Sequence, residues 1–338
     1  MNFAWLERLC SCGGISGRED AVRGLIISLL PQDAAHETDP LGNLIVTKPG
    51  AARGGKRVML CAHMDEVGLI VTEVTGDGFL RFAHVGGIDR RAYLGKAVLV
   101  GRRALPGVIG LKPTHLVEGD QKKAVPPQES LAIDIGAASK EEAQALVSLG
   151  DAVSFAPGFV RFGEGFIKSK AIDDRFGCLV LLELLHEALP YDLTAVFSCQ
   201  EEIGGAAGAA AYRLAPDAAV VVETTTASDL PGFSGAERVC SLGGGAVVPF
   251  MDGGAVYPFH LYARTMALAR ERGIPVQTKT KIAGGNDARA VSASRAGIPV
   301  VAVSLPCRSL HSPSTVMLES DAEAVYALVR ALWEDLSA

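Results

Sequence analysis

The chain has 338 residues, a formal charge of −6, 49% hydrophobic residues and 21% charged residues. Such a composition can bury a large core, which excludes a wholly disordered chain, and at ~150 residues per domain the length suggests two domains. The acidic balance excludes the basic footprint of a nucleic-acid binder, and no apolar run reaches the ~18 residues needed to span a bilayer.

Seven cysteines, scattered at 10, 12, 61, 178, 199, 240 and 307, contain no CxxC pair and sit mostly in apolar segments. That usage points to free thiols in a reducing, cytoplasmic compartment, with no thiolate metal site. The amino-terminal residues MNFAWLERLC carry Glu7 and Arg8 within a helical pattern and do not read as a secretory signal.

In chain order, two helices open the sequence. The second follows Ser16-Gly17-Arg18-Glu19, which reads as a capping box, and places Val22, Leu25, Ile26 and Leu29 at helical spacing. LGNLIVTK and RVMLCAH then read as strands, the latter a continuous apolar run suited to a buried sheet. From about Leu69 to about Pro157 short strand-like segments follow one another: LIVTEV, FLRFAHV, KAVLVG, PGVIGL, LAIDIG and DAVSF. That spacing predicts a small all-β barrel or sandwich, interrupted by one helix opened by the capping box Ser139-Lys140-Glu141-Glu142. After Lys168 helices alternate with strands: RFGCLVLLELLHEAL, DLTAVFSC, GGAAGAAAYRL, AAVVVE, VYPFHLYARTMALARERG, IPVVAVSL and SDAEAVYALVRALWEDLS. The alternation predicts a largely parallel sheet covered on both faces. The simplest organisation is one discontinuous α/β domain (residues 1–68 and 158–338) carrying an inserted β domain (69–157).

In open parallel sheets, groups just past the carboxyl ends of strands line the functional crevice. His63 and Asp65 follow RVMLCA, Glu201 and Glu202 follow DLTAVFSCQ, Glu223 follows AAVVV, His311 follows IPVVAVSLPCRSL, and Asp173-Asp174 precede a helix in the same stretch. Taken singly, each has an ordinary explanation: a strand-end histidine, a helix start favoured by its dipole, a solvated acidic turn. Taken together they do not, because unpaired acids converging on one crevice repel and desolvate one another. A divalent cation offsets that repulsion. Two imidazoles with several carboxylates suit Zn²⁺, Co²⁺ or Mn²⁺ better than Ca²⁺, and a pair of metals sharing one carboxylate accounts for the number of acids. Asp65, two residues after His63, is placed to accept its second ring N–H. Glu201 and Glu202, being adjacent, point different ways, so one can ligate while the other serves as a general base.

All of these residues but Glu223 fall within a longer series of stretches: AHMDEVG (62–68), GGIDRR (86–91), GVIGLKPTHL (107–116), IDIGA (133–137), KAIDDRFG (170–177), QEEIGGAAG (200–208), the DLPG turn (229–232), GGNDARA (284–290) and LHSPSTVM (310–317). In that order and spacing the sequence resembles the M42 family of dinuclear metallo-aminopeptidases, the glutamyl or tetrahedral aminopeptidase group, some of which have been called cellulase M. The resemblance implies a phosphorylase/hydrolase-like α/β catalytic domain with an inserted β-barrel dimerisation domain. It implies two divalent ions per subunit, Zn²⁺ or Co²⁺ before Mn²⁺, one held by His63, Asp173 and Glu223 and the other by Asp173, Glu202 and His311. It implies Glu201 as general base toward a bridging water, Asp65 as the residue orienting His63, short peptides as substrates, and a homo-oligomer up to a tetrahedral dodecamer. Glu223 departs from the family's usual aspartate. That keeps open a related two-metal carboxypeptidase or a deacylase of N-acyl amino acids.

Overall fold

The computed structural model describes residues 1–52, 55–119 and 124–338. An eight-stranded sheet runs in the order Ala35–Thr38, Leu44–Lys48, Leu193–Ser198, Val58–His63, Ala218–Thr226, Val300–Cys307, Ala246–Val248, Val276–Thr278. Its four central strands, from Leu193–Ser198 to Val300–Cys307, are mutually parallel; antiparallel pairings lie toward the edges. Those strands are apolar on both faces, as expected of a covered parallel sheet. Leu60, Ala62, Phe197, Val220, Val222, Val301 and Val303 point into one core, while Met59, Cys61, Val196, Ala219, Val221 and Ala302 point into the other. The first core is covered by five helices: Phe3–Ser11, Asp20–Leu29, Ile172–Leu185, Phe259–Glu271 and Glu319–Ser337. The second is covered by two short ones, Ala207–Leu214 and Ala288–Ser292. The small residues of these two helices allow a close approach: a Cβ at Gly208 would lie 3.0 Å from the Ala290 carbonyl.

The six β segments read between Leu69 and Pro157 become six antiparallel strands. They close a barrel in the order Gly68–Val74, Leu80–Val85, Ala132–Asp134, Leu105–Gly110, Ala97–Val100, Ala152–Phe155. Alternate residues such as Leu69, Val71, Leu80, Phe82, Val98, Val100, Ile109 and Ile133 fill its interior. The helix Lys140–Leu146 is capped as its sequence suggests, Ser139 Oγ accepting the Glu142 N–H at 3.2 Å. The other expected capping box does not form. The helix starts at Asp20 with no side-chain cap, and the Glu19 carboxylate instead accepts the N–H groups of Gly17 and Gln200. Ser16 Oγ turns away to donate to Asp65 at 2.6 Å. Both residues serve the crevice rather than the helix. A small sheet joins Val160–Phe162 and Phe166–Ser169, which lie between barrel and α/β body in sequence and lead into Asp173, to the later strand Thr315–Leu318. No helix among the described residues is long and apolar enough to cross a membrane.

Candidate functional site

The parallel strands deliver the acids and imidazoles to one rim. His63 is the last residue of its strand. Glu201 and Glu202 sit in a single 3₁₀ turn just beyond Ser198. Glu223 lies inside Ala218–Thr226, opposite Ser304, because that strand runs three residues further than AAVVVE suggests. His311 follows Val300–Cys307 across a short loop. Asp173 and Asp174 stand at the head of Ile172–Leu185 in non-helical backbone (ψ 110° and 46°), so the regular helix begins at about Arg175, as RFGCLVLLELLHEAL suggests. Four non-glycine residues at these junctions, Ala171, Gln200, Ser309 and His311, adopt left-handed backbone at φ 54°, 59°, 56° and 53°. Each costs on the order of 1–3 kcal/mol, a cost that clusters where a site over-determines the backbone.

All five expected ligands converge. His63 Nε2 lies 3.4 Å from Asp173 Oδ1 and 3.7 Å from Glu223 Oε1. His311 Nε2 lies 3.3 Å from Asp173 Oδ2 and 3.4 Å from Glu202 Oε2. The Asp173 carboxylate thus stands between the two imidazoles, one oxygen toward each. Both rings are fixed from behind. His63 Nδ1 lies 3.1 Å from the Asp65 backbone carbonyl and 3.4 Å from its carboxylate. His311 Nδ1 donates to the Gly87 carbonyl at 2.7 Å. A carbonyl only accepts, so each Nδ1 carries the proton and each Nε2 can present a lone pair inward.

Asp65 does more than face His63. Its two oxygens accept the backbone N–H groups of Glu201 (3.0 Å) and Glu202 (3.2 Å), fixing the acidic turn, while Ser16 holds it from the other side. Glu201 belongs to neither acid–imidazole group, although its neighbour Glu202 does. It lines the wall of a cavity of about 1310 Å³ that opens over both groups.

The crowding shows in the protonation equilibria. Burial above all, with neighbouring carboxylates adding and the imidazoles opposing, pushes Glu201 up to about 9, Glu202 up to about 8 and Glu223 up to about 7. Asp173 goes the other way. Burial raises it, but His311 and His63 together hold it well below the usual carboxylate range. Burial lowers His311, yet Asp173 and Glu202 outweigh it and lift the ring to about 10; His63 is likewise held well above its ordinary value, mainly by Glu223.

Two buried carboxylate oxygens at the centre, Asp173 Oδ1 and Asp174 Oδ2, have no hydrogen-bond partner. Buried carboxyl oxygens left unpartnered in this way are costly, and burial together with Glu223 pushes Asp174 well above the usual carboxylate range. The available donors form two groups within 4.8 Å, His63–Asp174–Glu223 and Asp173–Glu202–His311. Nitrogen and oxygen donors without thiolate suit a divalent cation such as zinc, cobalt or manganese, so the residues fit such ions.

Sequence reasoning gave several participants no role, although Asp174 stood beside Asp173 among its candidate acids. Asp174, 0% exposed, joins the first group with one oxygen while the other accepts the Gly177 N–H at 2.9 Å; its only signal was the doubled aspartate. Asp287, in the GGNDARA stretch, is buried beneath the acidic turn, takes a hydrogen bond from Ser198 and is pushed up to about 6 by burial. Gly87 acts through its carbonyl, which no side-chain pattern reveals.

A family model for the M42 glutamyl aminopeptidases matches residues 42–328. The chain is 30% identical to the lysyl aminopeptidase of Pyrococcus furiosus over 350 residues, covering 99% of this chain and 98% of the relative. Its structure is similar to that of the aminopeptidase APDkam598 from the archaeon Desulfurococcus kamchatkensis, with a TM-score of 0.93, 33% identity, and 98% and 94% of the two chains covered. It is also similar to the Pyrococcus horikoshii TET1 peptidase, with a TM-score of 0.86, 35% identity and 98% of each chain covered. Fold, site and relatives define a peptide hydrolase of the aminopeptidase class. The chain belongs to the M42 peptidase family, for which divalent metals are expected.

Proposed function

We propose that the chain is a two-metal exopeptidase that removes N-terminal residues from short peptides. The observation that carries this reading is the Asp173 carboxylate, set between two imidazole Nε2 atoms at 3.4 and 3.3 Å with one oxygen otherwise orphaned. His63, Asp173 and Glu223 would hold one ion, with the Asp174 oxygen close by, and Asp173, Glu202 and His311 the other. Bound there, such ions lower the pKa of a water and polarise a carbonyl.

The chain's own residues do the rest. Glu201, free of both groups and on the cavity wall, takes the proton of the attacking water and delivers it to the leaving amine nitrogen. Asp65 keeps Glu201 and Glu202 in register with His63 through the two turn N–H groups. The Gly87 carbonyl keeps His311 turned inward.

The reading extends to organisation. Residues 1–68 and 158–338 form the catalytic domain, and the barrel-bearing insert 69–157 serves for dimerisation. The Pyrococcus horikoshii TET1 peptidase can assemble into a tetrahedron or a large octahedral shell, which supports a homo-oligomer, up to a tetrahedral dodecamer, for this chain as well. All seven cysteines are free thiols, which supports a cytoplasmic location.

Elemental analysis combined with an aminoacyl-anilide screen under added Zn²⁺, Co²⁺ or Mn²⁺ tests the core of the proposal. The expected result is a pair of ions per chain and cleavage that needs both a free α-amine and the metal. Turnover that survives chelation, or a preference for N-blocked amino acids, overturns it; the latter would point to the deacylase chemistry that Glu223 leaves open.

A further inference from the structure

His311 reaches the site by a strained route. Its strand ends at Cys307, and in the stretch that follows both Ser309 and His311 adopt left-handed backbone, at φ 56° and 53°. Non-glycine residues hold that conformation only where their surroundings fix it. Part of the fixing is local: Ser312 Oγ–H and Thr315 Oγ1–H donate to the Ser309 carbonyl at 2.6 and 3.1 Å, and the Gly87 carbonyl takes the ring N–H. At the start of the stretch the anchor is Arg308.

Arg308 is held by backbone and side chain together. Its backbone N–H and C=O pair with Val316 at 2.9 and 3.0 Å. Its guanidinium makes a bidentate pair with Asp229, Nε to Oδ1 at 2.6 Å and Nη2 to Oδ2 at 2.8 Å, and lies 5.9 Å from the centre of the Phe166 ring. The Asp229 side chain is 7% exposed, and its Oδ2 also accepts the Leu242 N–H at 3.1 Å. An ion pair in open water contributes little, but a forked pair with a buried carboxylate is stronger and directional.

These contacts tie the His311 stretch to the segments of two other ligands. Asp229 follows Ala218–Thr226, the strand of Glu223, and Phe166 opens the strand Phe166–Ser169 that leads into Asp173. Neither Arg308 nor Asp229 lines the cavity, so the pair does not meet substrate. Glu223 and His63 sit inside paired strands, opposite Ser304 and Ser198, and do not need the pair; His311 lies beyond the strand pairing.

Resting on the two-metal reading, we propose that Arg308, clamped by Asp229, is a positioning residue for His311. The pair fixes the path of residues 308–311 so that the imidazole Nε2 stays 3.3 Å from Asp173 and 3.4 Å from Glu202. It therefore governs the affinity of the second ion and leaves the ion at His63 and Glu223 alone.

The test is metal binding by the whole protein, stripped and then titrated with Zn²⁺. Elemental analysis reads ions per chain and calorimetry reads the stepwise affinities. The wild-type chain should take up two ions. R308Q and D229N should each weaken one ion by about 10–100-fold, the usual effect of losing a residue that orients a ligand, and leave the other unchanged. R308K, which keeps the charge but loses the fork, should fall between. D229N/R308Q should be no weaker than the worse single variant, since both break one contact. In an H311A background, R308Q should not alter the ion that remains, whereas a general loss of structure would. Wild-type affinity for both ions in R308Q, equal weakening of both, or loss of the remaining ion in H311A/R308Q overturns the proposal. If R308Q does not fold, R308K decides by the same criteria. A wild-type chain that binds fewer than two ions overturns the two-metal reading itself.

Discussion

Two buried charged clusters sit either side of a water-sized cavity of about 10 Å³, and they are built on opposite plans. In the first, Glu66, Lys170 and Arg175 are 0–3% exposed in their side chains and fully engaged. Lys170 donates to both Glu66 oxygens at 2.7 and 2.8 Å, Gly14 N–H adds a third bond, and Arg175 donates to the carbonyls of Leu9, Met64, Cys12 and Gly14. In the second, the acids outnumber the imidazoles and leave Asp173 Oδ1 and Asp174 Oδ2 without partners. The first cluster is closed and ties helix Phe3–Ser11 and its following loop to the sheet. The second is not closed by donors of its own. The two are interleaved in sequence, Glu66 beside Asp65 and Lys170 and Arg175 flanking Asp173, so sequence position does not tell them apart. Partner counting does.

Removing one member from each cluster sharpens the contrast. In the open cluster, Glu201→Gln should lower kcat on the order of 10²–10⁴-fold, with metal content and unfolding midpoint retained, since it deletes a proton carrier and no packing. Normal turnover by this variant would refute the role of Glu201. In the closed cluster, Lys170→Met should lower stability by about 3–5 kcal/mol, because buried Glu66 loses its two direct bonds to the ammonium and keeps only the Arg175 guanidinium at 3.8 Å. Urea unfolding of the metal-loaded protein reads this, and Lys170→Met with Glu66→Met should recover much of the loss. A destabilisation no greater than that of a surface lysine would show that the network is not what anchors this region.

The smallest effect is one of pH. In metal-free protein the folded chain holds protons that the unfolded chain releases, since Glu201, Glu202 and Glu223 are pushed up to about 9, 8 and 7 from an ordinary 4.5. His311, raised from 6.5 to about 10, has the same sign: its stabilisation is present below 6.5 and lost as pH rises through 10. Stability should therefore fall as pH rises from about 5 to about 9, seen as a melting temperature several degrees lower in excess chelator. Excess zinc should flatten or reverse the slope, because the ligands are then held ionised. An identical slope with and without metal would break the link between the open cluster and cation binding.

The barrel and the site were legible to different depths. All six barrel segments could be read because a two-residue alternation with glycine or proline punctuation is a local signal, as in LIVTEV and LAIDIG. Strand-end placement brought out His63, Glu201, Glu202, Glu223 and His311, since parallel strands carry their carboxyl ends to one rim. Ser16 and Glu19 misled, because the same side chains that cap a helix can be drawn to a stronger partner across the fold, here Asp65 and the N–H of Gln200.

The order of the chain by itself determined the period of each element, the alternation that makes one sheet apolar on both faces, and the positions at which acids and imidazoles interrupt it. Only the tertiary structure decided which charges are spent and which are free: that Gly87, from the inserted segment, fixes the ring of His311 at 2.7 Å, and that Asp252 is consumed by its own loop while Asp173 Oδ1 is left without a partner. The reason is physical. Propensity and hydrophobic period act over a few residues and are written locally, whereas the state of a buried charge depends on donors hundreds of residues away, which share no sequence signal until the chain has closed around them.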